Sequence, residues 1–243
     1  MKQIEIGNQI INYEVVRTDR ETMGIKLDEQ CNLEVRSPED IEEQEIREVL
    51  KDKSSWILEK LKEKERIKPA PKPKEFLSGE KLPYLGRRYR LKVSASEEIS
   101  KVQVKLFQGK FIINYPQSLK SNDSQRREAI RNKLIEWYRA HAKDKIKERV
   151  EKYKGRLGVE PNNVVIKKQK KRWGSCSSKN NLNFNWKIIM APMSIVDYIV
   201  VHELTHLKYS NHSKEFWQTI ETIIPDYEDR LEWLKINGRQ LDF

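Results

Sequence analysis

The sequence lacks the features that mark secreted and membrane-spanning proteins. Its 243 residues include only two cysteines, Cys31 and Cys176, which are too few for a disulfide framework and suit a reducing compartment. Residues 1–5 (MKQIE) begin no apolar signal core. The most apolar helix candidate, residues 195–207, is too short and too polar to span a bilayer. We therefore expect a cytoplasmic protein without a membrane partner.

Long hydrophobic runs are also missing. Apolar residues make up 37% of the chain and charged residues 35%, so the core has to be assembled from amphipathic elements. The length suits one large domain or two modest ones. No internal repeat is visible, and the one compositionally biased stretch is the lysine- and proline-rich segment at residues 68–74.

Positive charge is present in excess and is concentrated in one segment. The formal net charge is +11, and residues 143–172 contain twelve lysines or arginines against four acids. A concentrated positive field attracts nucleic acid, nucleotides or acidic peptides, so segment 143–172 is a candidate for association with nucleic acid. The same pattern is typical of a solvated helix face, and both interpretations stay open.

The N-terminal quarter of the chain alternates between apolar and polar residues in short bursts. Across residues 3–36 this pattern predicts three or four strands separated by turns. Ser37 is a plausible N-cap and Pro38 a plausible first residue of a following helix, which runs out near Arg66. The lysine- and proline-rich stretch after it predicts a stiff, solvated linker.

The remainder combines strands with longer helical patterns. We expect strands within 83–115, around 163–166 and around 182–186, and helices at about 123–156, 192–209, 213–223 and 226–236. The fold class is therefore α+β. The expected domains are 1–67 (strands plus a helix), a linker at 68–80, and 81–243 (a larger domain whose core lies at 163–217).

The motif that carries chemistry is His202-Glu203-Leu204-Thr205-His206. Two histidines four residues apart lie on one face of a helix, so both imidazoles can reach one ion. Glu203 then stands beside the metal, where it can take a proton from a water molecule that the metal has acidified.

A catalytic zinc usually has three protein ligands and one open position. The third candidate ligand is His212, six residues after His206, provided that the helix ends between them. Three of the four histidines of the chain therefore fall within eleven residues. We expect one Zn²⁺ per chain, held by His202, His206 and His212.

A strand predicted just before this helix offers a second feature. Asn183 and Asn185 alternate with apolar residues there, so the strand can be an ordinary amphipathic one or can pair with an extended substrate through main-chain hydrogen bonds. Cys176 is better explained as a small buried thiol than as a nucleophile. Arg172 and Tyr209 are candidates for stabilising negative charge in the transition state.

Together these stretches resemble the YgjP-like metallopeptidase family, which is related to the SprT-like zincins. The matching segments are residues 171–177 (KRWGSCS), 183–186 (NFNW), 190–192 (MAP), 201–207 (VHELTHL) and 211–217 (NHSKEFW). The resemblance implies a zincin-like C-terminal catalytic core, in which the metal helix packs on a small sheet, with an N-terminal extension of strands and a helix. It also implies zinc at the three histidines and Glu203 as the catalytic acid/base.

The resemblance leaves the substrate open. One hypothesis is hydrolysis of a peptide or protein. The alternative is hydrolysis of a nucleoside triphosphate of the UTP type, with phosphates held by the cations that precede the motif loop (Lys167, Lys168, Lys170, Lys171 and Arg172). A third interpretation is a basic, nucleic-acid-associated module with a structural metal, although such a metal has no need of Glu203.

Overall fold

The structure is a computed structural model that describes residues 2–28, 31–169 and 172–243. The chain divides into two compact units, residues 1–68 and 69–243. Each unit has its own hydrophobic core, and each combines strands with helices, which confirms the α+β class. No helix in the described ranges is long and apolar enough to cross a membrane.

The first unit is a four-stranded sheet with two helices. The strands are β1 (Lys2–Ile6), β2 (Gln9–Arg17), β3 (Gly24–Leu27) and β4 (Leu33–Ser37), and the helices are α1 (Glu43–Asp52) and α2 (Ser54–Glu65). The order in the sheet is β1-β2-β4-β3, with β2 and β4 parallel. Alternate residues of the strands, such as Ile11, Tyr13, Leu33 and Val35, are buried in its core.

The predicted start of the helix in this unit was wrong. Ser37 does not cap a helix, because it pairs with Arg17 as the last residue of β4, and its hydroxyl accepts a hydrogen bond from the Arg17 guanidinium at 3.2 Å. The chain then leaves the sheet edge, and the helix begins at Glu43. It is also interrupted at Lys53, which separates α1 from α2.

The second unit begins with another four-stranded sheet and a long helix. Its strands are β5 (Lys81–Tyr84), β6 (Arg87–Ser96), β7 (Gln103–Phe107) and β8 (Lys110–Pro116), and the helix is α3 (Asp123–Leu157). Gly158, in the left-handed conformation, ends α3. One face of the sheet packs on α3, where Phe111 meets Trp137 with ring centroids 4.8 Å apart. Phe76, from the predicted linker segment, is buried in this same core.

The two sheets repeat one topology, although no repeat is visible in the sequence. The order β5-β6-β8-β7 matches β1-β2-β4-β3, with the same parallel and antiparallel pairs. The register also matches: Tyr13 pairs with Leu33, and Leu91 pairs with Phe111, each 78 residues further along. Only the apolar alternation is shared at these positions, which is why inspection of the residue types missed the repeat.

The rest of the second unit is a small sheet with the predicted metal helix. The strands are β9 (Asn163–Lys167), β10 (Gly174–Cys176) and β11 (Asn181–Asn185), and the helices are α4 (Met193–Thr205), α5 (Lys214–Ile223) and α6 (Tyr227–Asn237). Almost every residue of α4 is buried, polar ones included. Asp197 of α4 forms a two-pronged ion pair with Arg149 of α3, at 2.5 and 2.8 Å, and this pair ties the metal helix to the long helix.

Candidate metal centre

Two of the predicted ligands lie one turn apart, His202 on α4 and His206 at its C-cap. The helix ends at Thr205 and tightens into a turn in which Lys208 N–H donates to the Thr205 carbonyl at 3.0 Å. The chain then returns so that His212, just before α5, faces the same point. One nitrogen from each of the three histidines lies within 4.8 Å of the others, and the Nε2 atoms of His202 and His212 are 3.2 Å apart.

Two of the imidazoles, those of His202 and His212, are favoured in the neutral form that binds a cation. Burial, together with the two neighbouring histidines, lowers the pKa of His202 to about 3, and burial beside His206 also lowers the pKa of His212. His206 Nδ1 lies 3.0 Å from the Tyr209 carbonyl, so a proton on Nδ1 leaves Nε2 free as an acceptor. Neutral imidazole nitrogens that converge in this way fit a zinc ion.

Glu203 lies beside the three histidines. The side chain is only 4% exposed, and among the described residues its Oε2 atom has no hydrogen-bond partner. Burial raises the pKa of Glu203 to about 8, against the opposing effect of the Arg172 cation. A buried carboxyl with an open acceptor atom is suited to exchange a proton with a group in the site.

A cavity of about 900 Å³ joins these groups. It brings together five residues predicted from the sequence, namely Arg172, His202, Glu203, His206 and His212. The exposed Arg172 reaches the cavity from the loop before β10. The positive charge of Arg172 acts to lower the pKa of Glu203. A permanent cation therefore lies near the carboxyl.

Tyr209 is not brought into the cavity. It is absent from the described residues that line it, and its side chain packs against the hydrophobic core. The contribution of Tyr209 to the site is its backbone carbonyl, which holds the His206 ring.

Asn183 and Asn185 are likewise absent from the described lining of this cavity. Both are buried, and their amides hold neighbouring segments together: Asn185 Nδ2 donates to the Gln169 carbonyl at 2.8 Å, and Asn183 Nδ2 lies 3.4 Å from the Ser175 carbonyl. Their strand is also unable to pair with a substrate. β11 is the central strand of the order β10-β11-β9, so both of its edges are already occupied.

The edge strand beside the metal helix is β10. Trp173 and Ser177, at its two ends, hydrogen-bond to β11, so the intervening Gly174 and Cys176 direct their main-chain groups to the opposite side. No described strand pairs with that second edge. Residues 173–178 line the cavity, so the free edge of β10 runs along it.

Sequence reasoning missed Gly174 as a functional position. A β-carbon there would lie 2.5 Å from Oε1 of Glu203 and 2.6 Å from its Cγ, so the absence of a side chain makes room for the carboxyl. The signal available was a glycine in a strand-like segment, which often marks a close approach of another group.

Tyr198, Cys176 and Lys208 also line the cavity. Tyr198 lies one turn before His202 on α4, and burial raises its pKa to about 12, so its hydroxyl stays a donor. Burial and Glu203 raise the pKa of Cys176, which keeps the thiol protonated, as expected for a residue that is not a nucleophile. Lys208 adds a second cation to the cavity.

Comparison with known proteins finds similarity to metallopeptidases. The family model described as "YgjP-like, metallopeptidase domain" matches residues 21–237. Two crystal structures of metallopeptidase zymogens are similar to part of the chain. Abylysin of Pyrococcus abyssi is 27% identical over 35% of this chain and 90% of that chain, with a TM-score of 0.33. Jannalysin of Methanocaldococcus jannaschii is 28% identical over 39% of this chain and 95% of that chain, with a TM-score of 0.34.

The search of curated proteins found no match. The family match covers most of the chain, and the family implies a bound metal, usually zinc. The chain belongs to the YgjP-like metallopeptidase family and is a hydrolase of that type.

Proposed function

We propose that the protein is a zinc-dependent peptidase in which His202, His206 and His212 hold one zinc ion and Glu203 is the general base. The observation that carries the proposal is the meeting of three converging imidazoles, whose ligand atoms lie within 4.8 Å of one another, with a buried carboxyl that has an open acceptor oxygen among the described residues. A structural zinc would need the imidazoles but not this carboxyl.

When bound, zinc acts as a Lewis acid that acidifies water and polarises a carbonyl group. Glu203 removes a proton from the attacking water through Oε2, and the water oxygen forms a bond to the carbonyl carbon. Glu203 then returns the proton to the amide nitrogen as the carbon–nitrogen bond breaks. Arg172 supplies a fixed positive charge to the oxygen that becomes negative during the attack.

The free edge of β10 suggests how a peptide is held. The main-chain groups of Gly174 and Cys176 are available to pair with an extended segment, as in other cases of strand addition. A peptide in that position would pass along the cavity that contains the histidines. This role replaces the one expected for β11.

The second candidate is hydrolysis of a nucleoside triphosphate at the same site. It is favoured by Arg172, which lines the cavity together with Lys208. The other cations invoked for phosphate binding give it less support. Lys168 lines an adjoining cavity, which shares Arg172, Trp173 and Leu234 with the metal cavity, and Lys167 ends β9, while Lys170 and Lys171 lie outside the described residues. Two described cations beside the metal site are few for a triphosphate, so we favour the peptidase.

The test is a paired assay of the wild type and Glu203→Gln, both reconstituted with zinc. We expect the variant to keep its zinc and to lose peptide cleavage by a factor of about 10²–10⁴, because the base is lost while the ligands remain. The substrates are casein-derived peptides and a panel of nucleoside triphosphates. Release of pyrophosphate that depends on Glu203, without peptide cleavage, would contradict the peptidase proposal and support hydrolysis of a nucleoside triphosphate. Equal turnover by both proteins on every substrate would remove Glu203 from the mechanism.

A further inference from the structure

The outer face of the sheet β5-β6-β8-β7 is the face turned away from α3. Alternation along the strands defines it, because the residues of the opposite parity, such as Leu82, Leu91, Phe111 and Ile113, are buried. We call it the basic sheet face. Its residues are Lys81, Pro83, Arg88, Arg90, Lys92, Ser94, Gln103, Lys105, Phe107, Lys110, Ile112 and Asn114.

Half of these residues are cations, and none is an acid. All six cations are exposed, and within the described ranges none forms an ion pair with a carboxylate. The strand register places Lys81, Arg90 and Lys110 side by side in one row that crosses the sheet. Neighbouring strands are about 4.8 Å apart, so like charges are held close together without an ion pair to any described carboxylate.

The repeated topology provides an internal comparison. The corresponding outer face of the first unit carries both signs of charge, with Glu5, Glu14 and Glu34 set against Lys26 and Arg36. Both sheets have the same strand order and the same parallel and antiparallel pairs, so the architecture does not require a face of one sign. The single sign of charge on the basic sheet face therefore comes from its residues and not from the architecture. Such a surface attracts an anionic partner.

An aromatic side chain stands at the end of the cationic row. Phe107 pairs with Lys110 across the β7–β8 hairpin and is 54% exposed. The Lys105 ammonium lies 5.4 Å from the centroid of its ring. An exposed aromatic ring beside unpaired cations is the combination that binds single strands, in which phosphates meet cations and bases stack on rings.

We propose that the basic sheet face binds single-stranded nucleic acid. The phosphates lie on the row of Lys81, Arg90 and Lys110, with Lys92 and Lys105 in the adjacent row, and a base stacks on Phe107. This surface differs from segment 143–172, to which charge alone pointed in the sequence. It also differs from the metal cavity, since none of its residues is in the described lining of that cavity.

The test measures binding of a fluorescein-labelled, mixed-sequence 20-nucleotide DNA strand to the full chain by fluorescence anisotropy over a range of salt concentrations. The variant Arg90→Gln/Lys92→Gln/Lys110→Gln should bind at least tenfold more weakly near 0.1 M salt. Its slope of log K against log salt should fall by about 2, since each phosphate contact in a single strand contributes about 0.7.

The matched control removes the same charge from the other basic surface. Arg139, Lys143 and Lys147 form a stripe on α3 along a groove of about 480 Å³ beside β9. Within the described ranges they too form no ion pair. The variant Arg139→Gln/Lys143→Gln/Lys147→Gln should keep the wild-type slope. Loss of binding in this control together with wild-type binding in the sheet variant would overturn the proposal.

Phe107→Ser tests the preference for a single strand. It should weaken binding of the single strand about tenfold and leave binding of the matching 20-base-pair duplex unchanged, because duplex bases are already stacked. Equal loss on both ligands, or no loss on either, contradicts the stacking role.

Sedimentation with phosphatidylserine-containing vesicles tests whether the partner is a membrane instead. Vesicle binding without strand binding overturns the proposal. Circular dichroism checks the fold of each variant. Glu203→Gln should bind the strand like the wild type, so failure of the peptidase proposal would be visible separately.

Discussion

At the scale of single residues, the contact between Gly174 and Glu203 sets the tightest steric requirement of the site. Alanine at position 174 would place a methyl group 2.5 Å from Oε1 of Glu203, so the carboxyl has to leave its present position. We expect Gly174→Ala to lower kcat at least a hundredfold while the zinc content stays at the wild-type value, since no ligand is touched. Zinc analysis together with peptide turnover measures both.

The control for this substitution is Gly155→Ala. Gly155 lies within α3, and a β-carbon there meets nothing within 4 Å. Alanine should raise the stability by about 0.5–1 kcal/mol through its helix propensity and leave turnover unchanged. Wild-type turnover in Gly174→Ala would show that the carboxyl tolerates the displacement.

The fourth histidine, His141, lies outside the metal cluster and provides a control for the three proposed ligands. His141 stacks on Trp137, with ring centroids 3.7 Å apart. We expect His206→Ala to abolish zinc binding, because it removes one of three converging ligands, whereas His141→Ala should keep about one zinc per chain. The measurement is metal analysis after zinc reconstitution. Stoichiometric zinc in His202→Ala/His206→Ala would refute the assigned site.

At the scale of elements, the β5–β6 turn positions the start of the metal helix. Leu85 N–H donates to the Ile189 carbonyl at 2.8 Å. Gly86, at φ +79°, approaches so closely that a β-carbon would lie 2.9 Å from Cα of Pro192, the residue before α4. The backbone on both sides leaves little room to adjust, so this turn and the beginning of α4 form one packed unit.

Two glycine substitutions separate crowding from backbone strain. Gly109 also has a positive φ, +71°, but open space around it. Gly109→Ala should therefore cost about 1–2 kcal/mol from the left-handed backbone alone. Gly86→Ala should cost more, because Pro192 has to shift, and it should also weaken zinc binding through α4. Urea unfolding and zinc titration measure the two effects. An equal cost at both positions would mean that the contact with Pro192 is not tight.

At the scale of the whole molecule, every proposed zinc ligand lies in the second unit. Zinc that binds only the native state at a hundredfold excess over its Kd stabilises it by about 2.7 kcal/mol, or roughly 5–10 °C in Tm for a unit of this size. We expect this rise on adding zinc to metal-free protein, and none in His206→Ala.

Hydrogen exchange measured by mass spectrometry locates this effect. Protection of the α4 amides should increase with zinc, whereas amides in the core of the first unit, around Tyr13 and Leu33, should not change. The reason is that this unit has a separate core and contributes no ligand. A zinc-dependent increase in protection around Tyr13 and Leu33 would contradict the prediction.

Much of the fold and of the candidate site was predictable because the signals are local. The strand alternation and the long periodic helix α3 depend on neighbours in sequence. The spacing of His202 and His206 on one helical turn is equally local, and it led to Glu203 and His212. The family match confirms the class of protein that these residues indicate. The same reasoning failed at Ser37, where pairing with a distant strand overrode a good capping residue.

The sequence by itself determined the α+β class, the metal-binding motif and the class of hydrolase, since each depends on residue types at short spacing. Only the tertiary structure decided which strand has a free edge, which side chain Gly174 makes room for, that Asn183 and Asn185 brace the sheet, and that six cations share one face. The physical reason is that strand pairing and side-chain proximity join residues far apart in sequence. Such contacts depend on how the elements pack, and local patterns do not encode them.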